Sequence, residues 1–255
     1  MEGPESVARA IVQARAQQKP VAGALLAQAL ATSEDAYWAQ ELAAREGGWS
    51  EDGVARHWKS GGPSRTGALT HAPLPTGGIW ASPADGRGFH FNARLIEAEV
   101  ALRLARDVSP DQAEAMVPEE ASNWIESMCV SIEVVDSRWA EGAKAAPALL
   151  KLADLQSHGA LVLGGWVPFK LRDWSQQQCV VTIGKGVPQT FKGTHSLADP
   201  TWLLPTWLRH VTRFGATVPA GTIVTTGTWC GMLVANVGDK VKAEFEGIGE
   251  AEVQL

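Results

Sequence analysis

The sequence has little of what disulfide-bonded, zinc-binding or nucleic-acid-binding proteins need. Its 255 residues include three cysteines, Cys129, Cys179 and Cys230, which are far apart and odd in number. They form no disulfide framework and no CxxC pair, so zinc-ribbon and thioredoxin-like sites lose their support. Lysine and arginine total 22 against 28 aspartates and glutamates. Because the chain has no basic cluster, nucleic acid is not an expected partner.

The chain also lacks a long apolar segment. Its longest apolar run, at 160–167, is broken by glycines and is well short of the ~20 residues that a membrane-spanning helix needs. Its first residues carry charges where a signal peptide would be apolar. We therefore expect a soluble cytoplasmic protein without membrane contact. Hydrophobic residues make up 45% and charged residues 20% of the chain, which is typical of a globular domain rather than of disorder.

The residue pattern changes near position 50, and we divide the chain there into a helical N-terminal segment, 1–50, and a larger domain, 51–255. In the first part Val7 and Ile11 show helical spacing, and Ser33 is predicted as the N-cap of a further helix. Gly, Pro and Ser dominate 60–88, which predicts loops and short strands. The remaining pattern predicts an α+β chain, with helices at 109–127, 147–155 and 200–214 and strands within 89–104, 129–135, 161–167, 178–183 and 222–255.

Three carboxylates form the strongest chemical signal. Glu97 and Glu99 are one residue apart on a predicted strand, and the two-residue period of a strand places both on the same face. Glu133 lies among β-branched apolar residues, where an unpaired charge would be costly. A divalent cation would neutralise such a group, and oxygen ligands favour Mg²⁺ or Mn²⁺ over zinc. The alternative is that the Glu97 and Glu99 face is simply solvated, as on an amphipathic edge strand.

These glutamates lie in segments that resemble a known family. Residues 95–102 (LIEAEVAL) and 132–138 (IEVVDSR) are similar to two metal-binding strands of the fumarylacetoacetate hydrolase superfamily, in its 2-keto-4-pentenoate hydratase and 4-oxalocrotonate decarboxylase branch. Residues 154–164, 214–228 and 238–249 resemble three further segments, the second being a glycine-rich turn that closes over the site. The resemblance runs from about residue 54 to the C terminus. It implies the mixed β-sheet, β-roll fold of the family's C-terminal domain, preceded here by a small helical segment.

The resemblance implies roles for the acidic residues and for one lysine. Glu97, Glu99 and Glu133 would bind Mg²⁺ or Mn²⁺, which holds a 2-oxo acid and stabilises its enolate. Lys59, in the segment Trp58-Lys-Ser-Gly, would contact the substrate or relay protons, with a pKa lowered by burial. Without the family, Lys59 would be interpreted as a surface lysine.

Further candidates surround these groups. Ser157 is expected to donate a hydrogen bond to the substrate carboxylate or to a reacting water, although by itself it also fits a polar turn residue. Asp154 and Thr228 are candidate substrate-binding residues in the resembling segments. The sequence has eleven tryptophans and one tyrosine. We expect at least two tryptophans, with Trp58 and Trp80 as candidates, to line the pocket and to favour a bulky or aromatic substrate tail.

The sequence departs from the family near the lysine. The acidic residue that usually follows in a loop is absent, because 70–78 is THAPLPTGG and no aspartate occurs between Lys59 and Asp85. His71 is then the candidate acid or base, although a loop histidine is also commonly structural. His158 occupies a position that is often small in the family. These departures leave the substrate and the water-activating step open.

Four functions are therefore compatible with the sequence. The first is a metal-dependent hydratase that adds water to a 2-hydroxy-2,4-dienoate formed by meta-cleavage of aromatic compounds, and the family implies a homo-oligomer. The second is decarboxylation of a 4-oxalocrotonate-like 2-oxo acid, which needs no water. The third is C–C hydrolysis of an acylpyruvate, which usually needs a Glu–His pair on an N-terminal lid, whereas no histidine precedes His57 here. The fourth is a binding protein that has lost catalysis, since the loop acid is missing.

Overall fold

The computed structural model describes residues 3–49 and 54–255, so the predicted boundary between residues 50 and 51 lies outside the described residues. Within these ranges the α-helices are α1 (Pro4–Gln17), α2 (Ser33–Gly47), α3 (Pro110–Ala115), α4 (Gly142–Ala145), α5 (Ala148–Ala153) and α6 (Leu204–Thr212). Short 3₁₀ turns lie at Gly23–Leu26, Thr76–Gly78, Pro118–Trp124, Leu155–Ser157, Trp174–Gln176 and Pro200–Leu203. None of the helices in the described part of the chain is both long and apolar enough to cross a membrane.

The strands of the described residues form two mixed sheets. They are β1 (His57–Gly61), β2 (Thr70–Pro73), β3 (Ile79–Ala81), β4 (Ala84–Asp85), β5 (Leu95–Leu104), β6 (Ile125–Val135), β7 (His158–Leu163), β8 (Val167–Pro168), β9 (Gln178–Ile183), β10 (Gln189–Lys192), β11 (Ile223–Thr225), β12 (Leu233–Val234), β13 (Lys240–Phe245) and β14 (Gly249–Gln254). The larger sheet has the order β2-β1-β11-β5-β6-β7-β3, with β12 paired to β5 and β8 paired to β6. The smaller sheet has the order β10-β9-β13-β14-β4. This architecture confirms the predicted α+β class.

The main hydrophobic core lies between the two sheets. Ile96, Ala98 and Val100 of β5 point into it, together with Val241 and Val253 of the smaller sheet. Because side chains alternate along a strand, residues 97 and 99 project from the opposite face of the larger sheet. The fold therefore separates an apolar core face from a face that can carry polar groups.

The N-terminal helices form a second core together with residues from 139–153. Val7 and Ile11 of α1 are buried with Leu150 of α5 and with Trp139, which confirms the predicted helical spacing. The predicted cap of α2 is wrong by one residue. Thr32, rather than Ser33, accepts a hydrogen bond from the amide of Asp35, whose carboxylate accepts from the Thr32 amide in a capping box.

Two predicted helices are interrupted where proline enters. The helix expected over 109–127 ends at Ala115, and a 3₁₀ turn begins at Pro118, because proline restricts the preceding residue and lacks an amide hydrogen. The helix expected over 200–214 begins as a 3₁₀ turn at Pro200 and becomes α-helical at Leu204.

The strand expected within 89–104 begins only at Leu95.

Candidate metal and substrate site

Three glutamates from adjacent strands converge on the polar face of the larger sheet. In the antiparallel pair β5 and β6, Glu97 is directly opposite Glu133, and Glu99 is opposite Ser131. Ligand oxygens of the three carboxylates all lie within 4.8 Å of one another. Glu99 and Glu133 are buried, with exposed fractions of 1% and 0%. Glu97 is partly exposed, but β5 lies between β11 and β6 inside the sheet, so the alternative of a solvated edge strand is wrong.

Burial and mutual repulsion control the protonation of this cluster. Burial and the like charges of Glu133 and Glu99 raise the pKa of Glu97 to about 8, although the positive charge of Lys59 acts in the opposite direction. Burial and the charge of Glu133 raise the pKa of Glu99 to about 7. Glu133 is also buried, but Lys59 and His158 outweigh that effect and lower the pKa of its carboxyl. The cluster thus holds protons near neutral pH when no cation is bound.

Lys59 connects β1 to the glutamates. Its Nζ donates to Oε1 of Glu133 at 2.7 Å and lies 3.4 Å from the carbonyl oxygen of Gln156. Burial acts to lower the pKa of Lys59, but the negative charges of Glu133, Glu97 and Glu99 outweigh burial, and the pKa is raised. The predicted lowering of this pKa is therefore wrong, and Lys59 is held in its protonated form.

The turn before β7 carries Ser157 into the pocket. Leu155, Gln156 and Ser157 are consecutive non-glycine residues with φ angles of 51°, 55° and 61°, in the left-handed region that costs about 1–3 kcal/mol per residue. Both Gln156 and Ser157 line the pocket. The Ser157 hydroxyl oxygen is buried and has no hydrogen-bond partner in the described residues. This strained turn therefore presents an unused hydroxyl to the pocket.

The glycine-rich turn after β11 supports the other side of the cluster. The Thr225 hydroxyl and the Gly227 amide both donate to Oε2 of Glu99, the amide at 3.0 Å. Gly227 has a φ of 105°, which a side chain would disfavour. Thr228 lines the pocket, and its hydroxyl donates to the Gly231 carbonyl oxygen at 3.1 Å. Thr225 and Gly227 lie in the segment 214–228 that the family resemblance predicted to close over the site, but neither residue was singled out from the sequence.

A cavity of 590 Å³ lies above the glutamates. Its lining combines the polar groups described above with an aliphatic part contributed mainly by Val135, Leu149, Leu152 and Met232. Lys151 of α5 also lines it, and the described residues provide no ion-pair partner for its ammonium group. The floor of the cavity is therefore acidic, part of its wall is aliphatic, and Lys151 adds one further cationic side chain.

Strand alternation places Trp58 and His71 away from this cavity. Trp58 precedes Lys59 on β1 and packs into the core near Trp207, because neighbouring strand residues point to opposite faces. His71 pairs with Ser60, so it shares the Trp58 face. Its Nδ1 lies 2.8 Å from the Ser60 hydroxyl, and burial lowers its pKa to about 3.

Asp154 and Trp80 also lie outside the cavity lining. Asp154 is fully buried and accepts a hydrogen bond from Nε of Arg138 at 2.6 Å. Trp80 packs edge-on against Phe89 and Phe91. None of the cavity-lining residues, all within the described ranges, is a tryptophan. The expectation that tryptophans form the wall around the substrate tail is therefore wrong.

The residues present fit a hard divalent cation. Three carboxylates supply oxygen ligands within a small volume, as Mg²⁺ and Mn²⁺ prefer. Oε2 of Glu133 is buried without a hydrogen-bond partner among the described residues, and a cation would satisfy it. Burial and repulsion raise the pKa values of Glu97 and Glu99, and the charge of a cation would oppose both effects.

Comparison with known proteins agrees with this geometry. A family model described as fumarylacetoacetate (FAA) hydrolase C-terminal matches residues 82–255. The chain is 31% identical over 262 aligned positions to 2-keto-4-pentenoate hydratase 2 of Dechloromonas aromatica (strain RCB), covering 96% of this chain and 95% of that protein. The structure of 4-oxalocrotonate decarboxylase from Pseudomonas putida G7, complexed with magnesium and adipate, matches with a TM-score of 0.80 and 18% identity, covering 98% of this chain and 96% of the other. The fold expected from the sequence is confirmed.

Proposed function

Because this chain belongs to the fumarylacetoacetate hydrolase family, we propose that it is a divalent-metal-dependent hydratase that adds water to a 2-hydroxy-2,4-dienoate of the 2-keto-4-pentenoate type. The observation that carries the proposal is the convergence of Glu97, Glu99 and Glu133 beside Lys59 at the base of a cavity. The similarity over nearly the whole chain to a protein named 2-keto-4-pentenoate hydratase supports the choice of reaction. Dienoates of this kind arise from meta-cleavage of aromatic rings, so we place the enzyme in aromatic catabolism.

The three glutamates would hold Mg²⁺ or Mn²⁺. When bound, such an ion acts as a Lewis acid that binds the 2-oxo-carboxylate and stabilises the negative charge that develops on its oxygen. Glu99 is oriented by the Gly227 amide and the Thr225 hydroxyl, and Glu133 is oriented by Lys59. These hydrogen bonds fix the carboxylates before the substrate arrives.

Lys59 and Ser157 are the side chains proposed to act on the substrate. Lys59 is held protonated by the surrounding carboxylates and would relay protons: in ketonisation the proton lost by the enol oxygen is delivered to a carbon of the dienol, and in hydration water places its hydroxyl on one carbon and its proton on the neighbouring carbon, so that Lys59 ends each step protonated. Ser157 presents an unpartnered hydroxyl to the cavity and would donate a hydrogen bond to the substrate carboxylate. The aliphatic side chains of Leu149, Leu152 and Met232 would surround the hydrocarbon tail.

Decarboxylation of a 4-oxalocrotonate-like acid is the second candidate, and two features of the cavity favour it. Apart from Glu97 and Glu99, the cavity-lining residues in the described ranges include no carboxylate that could activate water, and decarboxylation needs no added water. Lys151 lines the cavity and could bind the second carboxylate of a dicarboxylic substrate.

One assay separates these reactions. The purified chain is incubated with 2-hydroxypenta-2,4-dienoate, the enol of 4-oxalocrotonate and an acylpyruvate, each with Mg²⁺ and with EDTA, and products of water addition, decarboxylation and C–C hydrolysis are measured together. Glu97→Gln should lose the activity, whereas Glu126→Gln, at an exposed position of β6, should retain it.

Each outcome has a defined meaning. Water addition to the pentadienoate supports the hydratase, and carbon dioxide release from the dicarboxylate supports the second candidate. Cleavage of the acylpyruvate would support the C–C hydrolase instead. Metal binding without turnover of any substrate would favour a non-catalytic binding protein, and turnover that persists in EDTA would contradict the metal site. The homo-oligomer and the cytoplasmic location stay predictions, the first of which light scattering would test.

A further inference from the structure

His158 is in direct contact with the glutamate cluster, although no sequence motif assigned it a role. It lies at the start of β7 and is fully buried. Its Nδ1 is 2.9 Å from Oε1 of Glu133, the same oxygen that accepts from Lys59 at 2.7 Å. Oε1 therefore has two partners, while Oε2 of the same carboxylate has none among the described residues.

A bulge in β7 brings His158 to this face of the sheet. The two strand pairs at this point are Ala160 with Val134 and His158 with Val135. One residue of β6 is thus matched by two residues of β7, with Gly159 as the additional residue. Regular alternation would have placed His158 on the core face beside Ala160, whereas the bulge turns it toward Glu133.

Hydrogen-bond chemistry fixes which ring nitrogen carries the hydrogen. An ionised carboxylate only accepts hydrogen bonds, so Nδ1 of His158 must donate to Oε1 of Glu133. The opposite tautomer would direct a lone pair at the carboxylate and bury an Nε2–H group, for which the described residues provide no acceptor. Of the two neutral tautomers, the local structure therefore selects the Nδ1–H form.

We infer that His158 is a positioning residue of the metal site, which holds Oε1 of Glu133 together with Lys59 so that Oε2 faces the cation. The inference rests on the proposed function only in taking the three glutamates as metal ligands. Groups that orient a metal ligand in this way change metal affinity about 10–100-fold when they are removed.

The backbone of His158 is held from the N-terminal segment. Nη2 of Arg15 in α1 donates to the His158 carbonyl oxygen at 2.8 Å. The Arg15 guanidinium group also interacts electrostatically with Asp154, Asp136 and Arg138. The hydrogen bond from α1 therefore restrains the backbone of His158. This restraint helps to hold the imidazole in the position from which it contacts Glu133.

The test measures Mn²⁺ and Mg²⁺ affinity in the full-length chain, by electron paramagnetic resonance for Mn²⁺ and by calorimetry for Mg²⁺. His158→Leu should weaken Mn²⁺ binding about 10–100-fold. His158→Asn should retain more affinity, because its side-chain amide can donate from a position close to that of Nδ1. The matched control is His71→Leu, since His71 is also buried and hydrogen-bonded but lies outside the cavity; it should lower the melting temperature and leave Mn²⁺ affinity unchanged.

Wild-type Mn²⁺ affinity in His158→Leu would overturn the inference, as would equal losses in both His158 variants and in His71→Leu. A second measurement needs no metal: ¹⁵N NMR of the imidazoles should show His158 in the Nδ1–H form, and an Nε2–H form would also overturn it. A wild-type chain that binds no divalent cation would overturn both the metal site and this inference. Metal binding without turnover would overturn only the proposed reaction.

Discussion

Glu97 and Glu133 are direct cross-strand partners on the antiparallel strands β5 and β6. Two carboxylates on one face of an otherwise apolar pair of strands repel each other unless a positive charge lies between them. Lys59 provides part of that charge through its 2.7 Å contact with Glu133. The remaining imbalance makes the cluster sensitive to pH and to divalent cations.

The metal-free chain should lose stability as pH rises. The pKa of Glu97 is about 8 and that of Glu99 about 7 in the folded chain, against an ordinary value of 4.5. Between pH 4.5 and about 8 the folded state therefore binds more protons than the unfolded state, so the free energy of unfolding falls with rising pH. A cation replaces these protons, and stabilisation by Mg²⁺ should grow over the same range. Melting temperatures across this range, with and without Mg²⁺, check both slopes.

The matched variants for this experiment are Glu97→Gln and Glu126→Gln. Glu97→Gln should flatten the pH dependence of the metal-free melting temperature, because one raised pKa is removed. Glu126→Gln changes an exposed side chain and should keep the wild-type profile. An unchanged slope in Glu97→Gln would show that the cluster does not control stability.

Replacing Lys59 by methionine should affect stability and activity together. Glu133 would keep only His158 as a hydrogen-bond partner, and an uncompensated buried carboxylate costs about 3–5 kcal/mol. Loss of an acid–base group lowers kcat about 10²–10⁴-fold. Chemical unfolding of the metal-free protein and kcat at saturating Mg²⁺ measure the two effects. The control is Lys144→Met, at an exposed position of α4, which should have wild-type stability and kcat. A wild-type kcat in Lys59→Met would show that Lys59 takes no part in the reaction.

Gly159→Ala should disturb the metal site through the bulge. A Cβ atom at this position would lie 2.6 Å from the Val134 carbonyl oxygen, and such overpacking costs about 1–3 kcal/mol. Because the bulge aims His158 at Glu133, Mn²⁺ affinity should fall as well. Gly165→Ala is the matched control, since no atom lies within 4 Å of the Cβ it would add. Wild-type Mn²⁺ affinity in Gly159→Ala would show that the geometry of the bulge does not control metal binding.

Lys151→Met should distinguish monocarboxylic from dicarboxylic substrates. A hydrogen bond to a charged group contributes about 1.5–3 kcal/mol, so kcat/KM for the dicarboxylate should fall about tenfold or more, whereas that for 2-hydroxypenta-2,4-dienoate should stay near wild type. Steady-state kinetics on the two substrates give the comparison. Equal effects on both substrates would count against a second carboxylate site at Lys151.

The sequence by itself determined the parts of the site that depend on local periodicity. The spacing of Glu97 and Glu99 places both carboxylates on one face of a strand for any regular pleat, and Glu133 among β-branched residues marks a second buried strand. The family resemblance, carried by the same segments, supplied the fold. Helical spacing and capping residues likewise predicted several of the helices, although the helix expected over 109–127 is divided into α3 and a 3₁₀ turn.

Only the tertiary structure decided which neighbours of those glutamates reach them. Trp58 and Lys59 are adjacent in sequence but lie on opposite faces of β1, and the pairing of β1 with β2 assigns His71 to the Trp58 face. His158 reaches Glu133 only because a bulge breaks the alternation of β7. A periodic pattern specifies a face within one strand, but the register between strands depends on contacts between residues far apart in the chain, and these become fixed only when the sheets pack.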